Sequence, residues 1–116
     1  MSIHLTREQV LEILATARSQ GTPPDFCAAN LQQLNLADVD LRGADLRGAD
    51  LRWTTLCRAN LAHANLCGAD LQGANLQGAN LGWANMQRVN LQRADLRAAY
   101  LVDTQLDGTD ISKSVR

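Results

Sequence analysis

Aromatic residues are nearly missing from this chain. Its 116 residues include one Phe, two Trp and one Tyr, which excludes a conventional core built from large rings. Proline occurs only as the Pro23-Pro24 pair, and histidine only as His4 and His63. Cysteine is limited to Cys27, Cys57 and Cys67. So sparse and odd a set makes no disulfide framework and points to a reducing compartment, so the cytoplasm is expected. Neither sign of charge dominates, with a net charge of −1 and a pI near 6.0. That removes the basic footprint of a polyanion binder, and nucleic acid is not an expected partner. No apolar run approaches a membrane span, and the N-terminus lacks the pattern of a signal peptide, so no membrane partner is expected. There is no GxSxG or HExxH arrangement and no glycine loop opening a helix. No catalytic residue, cofactor or metal set is therefore expected. His63 and Cys67, four residues apart, are a pair with ligand chemistry, but no second pair completes a site.

What the chain has instead is a period of five. The stretch Leu41-Arg42-Gly43-Ala44-Asp45-Leu46-Arg47-Gly48-Ala49-Asp50-Leu51 is one unit written twice. A large apolar residue falls at Phe26, Leu31, Leu36, Leu41, Leu46, Leu51, Leu56, Leu61, Leu66, Leu71, Leu76, Leu81, Met86 and Leu91. The same frame continues through Leu96, Leu101, Leu106 and Ile111, making 18 centres of which 15 are Leu. Two residues before the centre, Ala stands in 11 of the 18 units; one residue before it, Asp or Asn stands in 15. Three columns held in register over that length reflect one repeated structure.

A period of five suits neither regular element. On a helix each repeat drifts by about 140°, so the leucines would wind around every side. On a strand an odd spacing sends successive leucines to opposite faces. The chain must therefore bend once per unit. Gly43, Gly48, Gly68, Gly73, Gly78 and Gly108 each lie two residues after a centre, where a type II turn needs positive φ. The Asp and Asn before each centre can bond their own backbone. The outcome is a solenoid with short β-like sides and an interior of Leu and Ala.

Units such as Ala44-Asp45-Leu46-Arg47-Gly48, Ala69-Asp70-Leu71-Gln72-Gly73 and Ala74-Asn75-Leu76-Gln77-Gly78 resemble the pentapeptide repeat family. The resemblance implies a β solenoid, specifically a right-handed quadrilateral β-helix with four pentads per coil. On that geometry the repeat spans residues 24–113 as about four and a half coils, roughly 20 Å tall. Residues 1–23 stand before it and 114–116 form a tail. Cys27 and Cys67 then share a side two coils apart, roughly 10 Å, beyond disulfide reach.

The first 23 residues read as a helix. Thr6 is the expected N-cap with Gln9 as its capping-box partner, and Leu5 and Val10 are placed for a hydrophobic staple. Val10, Ile13, Leu14 and Ala17 form a stripe with Leu11 beside it. Gly21 and the two prolines end the element. Solenoids need covered ends, so the stripe is expected to lie over Phe26, Leu31 and Leu36. The charges Arg7, Glu8, Glu12 and Arg18 give the helix no basic face, which disfavours a membrane-surface role. Leu34 and Val39, where Ala is usual, are expected to widen the first coil. At the other end the tail is too short for a covering helix, although Val115 could fold over. Leu96, Leu101, Leu106 and Ile111 are therefore a candidate end face for a homodimer or another partner.

Arg42, Arg47 and Arg52 occupy one outward position on three successive sides and form no single stripe for a phosphate backbone. Pairing with nearby Asp45, Asp50, Asp70 or Asp95 is expected. The outward aromatics say more. Trp53 and Trp83 occupy the corner position where Gly is common, and Tyr100 replaces the usual Asp or Asn. With four sides, His63, Trp83 and Asp103 stack in one column, with Tyr100 and Val102 on the same side. Trp53, His63, Trp83, Tyr100, Val102 and Asp103 are the candidate interface, since exposed Trp and Tyr are preferred anchors.

The expected function is a non-enzymatic protein-interaction module or scaffold with an unknown partner. Short members with a helical lid are similar to cyanobacterial pentapeptide proteins, a few of which regulate through protein contacts. The alternative is the activity best known in the family, in which the rod resembles DNA and binds a type II topoisomerase such as gyrase. Those members are longer and strongly acidic, whereas here 10 Asp are matched by 10 Arg.

Overall fold

The computed structural model describes residues 3–116. Beyond the helix α1, Arg7–Gln20, regular pairing consists of single parallel bridges. The bridges join residues twenty apart: Asp25 to Asp45, Asp45 to Asn65, Asn65 to Asn85 and Asn85 to Gln105. Twenty residues are four pentads, so the coil has four sides. The architecture is a right-handed quadrilateral β-helix capped by one helix, with extents of 37 × 28 × 22 Å.

One pentad accounts for every backbone donor it carries, which a buried solenoid must do. In Asn65–Ala69, the Leu66 N–H donates to the Asn85 carbonyl in the next coil, 2.7 Å away, and the Gly68 N–H to the Gln87 carbonyl at 2.9 Å. Asn65 N–H reaches back to the Ala44 carbonyl at 2.9 Å, and Ala69 N–H closes the corner on the Leu66 carbonyl at 2.9 Å. The Cys67 N–H alone has no ladder partner, and Asn65 Oδ1 accepts from it at 3.1 Å. This is why Asp or Asn precedes each centre: its side chain satisfies the one donor that coiling leaves over. The third turn residue has positive φ in every unit from Ala28 to Gly108, at Gly68 (φ 73) and also at non-glycine corners such as His63 (φ 61) and Trp83 (φ 57). The bend expected at each unit is therefore a type II turn, and glycine there only lowers its cost.

The leucine column and the inward Ala residues form one continuous core from Phe26 to Leu96. Thr54, which breaks the Ala pattern, is buried, and its hydroxyl donates to the Leu31 carbonyl at 2.9 Å. Thr104 and Thr109 bond the Leu81 and Met86 carbonyls in the same way. In the first coil Val39 is buried and Leu34 partly buried.

Helix α1 starts with the full capping box. Gln9 N–H donates to Thr6 Oγ1 at 3.2 Å, and Thr6 N–H to Gln9 Oε1 at 2.8 Å. It ends on Gly21 in the left-handed region, whose N–H bonds the last helical carbonyls. Val10, Leu14 and Ala17 are buried in the core that contains Phe26, Leu31 and Leu36, while Leu11 faces outward. Arg7 donates to the Asn35 carbonyl, and Arg18 to the carbonyls of Asp40 and Arg42, so the rim of the first coil is tied down. The sequence offered no sign of the short strand before the helix. There His4 bridges Asn30 in parallel, and Leu5 N–H donates to the Asn30 carbonyl at 3.0 Å.

Two boundaries at the other end differ from expectation. Residues 114–116 are not a loose tail, because Val115 bridges Asp95 and exchanges bonds with Leu96 and Ala94. Val115 extends the ladder instead of folding over the end. Leu96, counted as part of an exposed end face, is only 5% exposed, because this added rung covers it.

Candidate functional site

Four sides give four outward surfaces, each set by which residues flank the centres. On two of them a charged residue flanks the centre in three of five coils, and on a third Asp95 and Arg97 do so, with Asp38 and Arg58 at its corners. The Asp and Arg of a single pentad pair across the centre, as in Asp40–Arg42, Asp45–Arg47, Asp50–Arg52 and Asp95–Arg97, with closest distances from 2.6 to 2.8 Å. Arg58 pairs with Asp38 one coil up at 2.9 Å. Asp40 and Asp38 were not among the partners expected for these arginines, and Arg52 reaches the expected Asp70 only at 3.8 Å. Hydrogen bonds from the guanidinium groups hold the carboxyls of Asp38, Asp40, Asp45, Asp50 and Asp95 below the usual carboxylate range. Much of the acidic column is thus neutralised where it stands, while Asp25 and Asp110 form no ion pair among the described residues.

The fourth side is different. Its pentads are residues 39–43, 59–63, 79–83 and 99–103. Between Asp40 and Arg42 in its first pentad and Asp103 at its last corner, the residues flanking its centres are Asn60, Ala62, Asn80, Gly82, Tyr100 and Val102, none of them charged. Along the corner, His63 and Trp83 stack with ring centroids 5.3 Å apart and planes 8° from parallel. Tyr100 leans toward Trp83, with centroids 6.3 Å apart and planes tilted by 52°. Trp83 and Tyr100 remain 48% and 45% exposed, so the cluster forms without hiding its rings.

Gly82 makes room for this arrangement. A methyl group there would come within 2.9 Å of Tyr100 Cε2. The sequence held a signal for this that went unread: Gly82 alone among the repeat's glycines lies directly after a centre. Tyr100 also gives up the bond that Asp or Asn supplies elsewhere, so the Val102 N–H has no protein partner among the described residues. The chain accepts a loss of about 1 kcal/mol to display an aromatic ring.

Of the six interface candidates, the structure brings together His63, Trp83 and Tyr100, with Val102 and Asp103 on the same side. Trp53 is not among them. Its column bonds through Gln33, Gly73 and Arg93, half a coil from that of His63, and so lies on the opposite side. There its ring covers Gly73, where a methyl group would fall 2.3 Å from Trp53 Cε3.

Several concavities lie elsewhere among the described residues. A cleft of about 530 Å³ runs between α1 and the Thr22–Asp25 segment, with Leu5, Ile13 and Ala17 in its lining. A smaller one of about 140 Å³ opens at the last coil among Leu101, Leu106, Ile111 and Arg116. The three cysteines are unpaired, and no cluster of three potential metal ligands occurs among the described residues. No described helix is long and apolar enough to cross a membrane.

The sequence profile of pentapeptide repeats matches overlapping segments from residue 25 to residue 112. This chain belongs to the pentapeptide repeat family. Solved structures of family members agree with it in fold. A pentapeptide repeat protein of the Arabidopsis thaliana thylakoid lumen is 32% identical over 78% of this chain and 63% of its own, with a TM-score of 0.74. Rfr23 from the cyanobacterium Cyanothece 51142 is 38% identical over 81% and 65%, with a TM-score of 0.52. A pentapeptide repeat protein of Nostoc PCC 7120 is 27% identical over 96% and 93%, with a TM-score of 0.50. The match to the first two spans just under two-thirds of their length. A search among curated proteins gave no match.

Proposed function

We propose that this pentapeptide repeat protein is a non-enzymatic, cytoplasmic interaction module that holds a protein partner on the aromatic side formed by His63, Trp83 and Tyr100. The observation carrying this reading is the exposed His63–Trp83–Tyr100 cluster, built at the cost of a repeat hydrogen bond at Val102. Exposed Trp and Tyr on a rigid scaffold are the groups that concentrate binding energy at protein interfaces, since they bury large area with little loss of side-chain freedom. A second apolar surface at Leu101, Leu106 and Ile111 is where an end-to-end homodimer would meet. Mimicry of DNA, with gyrase as target, finds less support, because Arg neutralises five carboxylates in the repeat.

Affinity capture from cell extract, comparing wild type with Trp83→Ala, tests the proposal. Trp53→Ala, on the opposite side, is the matched control. A partner lost with Trp83 and retained with Trp53 is the expected result. Equal recovery by all three proteins would remove the aromatic side from consideration. Inhibition of gyrase supercoiling by the wild type would move the reading to the alternative.

A further inference from the structure

We infer that the partner on the aromatic side is a second copy of this chain, laid antiparallel so that the column of His63, Trp83 and Asp103 meets itself. This rests on the reading above and names its occupant. The order of the column carries the argument. His63, Trp83 and Asp103 succeed one another one coil at a time, as the His63 to Gly82 and Trp83 to Val102 backbone bonds fix. Each step is about 4.8 Å, so His63 and Asp103 lie at equal distances on either side of Trp83.

A two-fold axis at the level of Trp83, perpendicular to the rod, exchanges these two positions. It sets His63 of one copy against Asp103 of the other, twice, around a central pair of tryptophans. His63 and Asp103 are exposed, and neither forms an ion pair or side-chain hydrogen bond within its own chain among the described residues. Most other acids and bases of the repeat's first two coils are already paired in place. Arg93, Asp107 and Lys113 in the later coils also form no ion pair among the described residues, but His63 and Asp103 are the acid and base that share this column.

The same operation complements the shapes of the face. It lays Val102 of one copy over Ala62 of the other, and Tyr100 over Asn60. Coil levels with large outward groups thus meet levels with small ones, while Gly82 faces Gly82 at the centre. Tyr100 and Trp83 supply the buried aromatic core expected of such a contact, and the His–Asp couples supply register. In an end-to-end contact through Leu106 and Ile111, neither aromatic ring would lie at the seam. Three coil levels of one side make a small interface, below the roughly 1,600 Å² of a standard stable complex. A dimer with micromolar affinity is expected.

Sedimentation equilibrium on the full chain tests this, with circular dichroism confirming that each variant keeps its fold. His63→Asp places carboxylates against carboxylates, and Asp103→His places imidazoles against imidazoles. Each variant alone should weaken dimerisation at least tenfold, and Trp83→Ala should abolish it. Mixed in equal amounts, H63D and D103H should form a heterodimer with affinity restored to within threefold of wild type, because both couples are rebuilt. A wild-type dimer indifferent to all three substitutions would overturn the antiparallel pairing in favour of another seam. A mixture that stays monomeric would overturn it too. A wild type monomeric at 100-fold the expected micromolar range, yet capturing a different protein through Trp83, would overturn self-pairing and leave the interaction reading intact.

Discussion

The two ends of the rod are made of the same repeat, and they differ in how well it is covered. At the helical end Phe26, Leu31 and Leu36 are fully buried beneath α1, and the arginines Arg7 and Arg18 hold the carbonyl rim. At the last coil Leu101 is 37% exposed, and Leu106 and Ile111 are partly exposed. The difference teaches that the ladder alone does not bury a coil. Each coil's leucines are covered by the neighbouring coils, so a terminal coil depends on whatever lies against it.

Substitutions at matched positions give the largest effect and the most direct way to break this comparison. Leu36→Ala leaves a cavity with the helix on one side and a coil on the other, costing about 3 kcal/mol, whereas Leu106→Ala costs about 1 kcal/mol. Urea denaturation reads both, and equal losses would mean that the last coil is as well covered as the first. Next in size is the turn bond. Asn65→Ala strips the partner from the Cys67 N–H and should cost about 1 kcal/mol. Tyr100→Asn runs the same change in reverse at Val102 and should stabilise by up to about 1 kcal/mol while removing the aromatic cluster. A destabilised Tyr100→Asn would show that the ring supports the fold more than it serves an interface.

Smaller still is the backbone strain at corners. Arg93 has φ 63 and an exposed side chain, so Arg93→Gly should gain about 0.5–1 kcal/mol. Loss of stability would assign Arg93 a contact of its own. The mildest change is with acid. Arg-held Asp45, Asp50 and Asp95 have folded-state pKa values below the unfolded value of about 3.9. Their contribution is complete above that pH and is lost as pH falls through the lower folded values. The thermal midpoint should therefore decline below about pH 4. It should decline less in a variant with Asn at these three positions, because the amide oxygen keeps the turn bond. Parallel declines in both proteins would place the titration elsewhere.

Much of the molecule could be read from spacing. Columns at five-residue intervals predicted the bend, the buried leucines and the turn role of Asp and Asn, because a repeat writes its geometry once per unit. The helix was legible from Thr6, Gln9 and Gly21 for the same local reason. The candidate site was legible only in part. Trp53 and Trp83 occupy equivalent corners in sequence, and four-fold coiling sends them to opposite sides. Gly82 and Tyr100, eighteen residues apart, meet only because the next coil passes beneath.

The amino-acid order by itself determined which residues turn inward and where each corner falls, because these follow from local backbone preferences and the apolar period. Only the tertiary structure decided which outward residues become neighbours, how Val115 and the His4–Leu5 segment extend the ladder, and which side gathers the aromatic rings. Those relations depend on register between coils, and that is set by stacking twenty residues apart rather than by anything within one pentad.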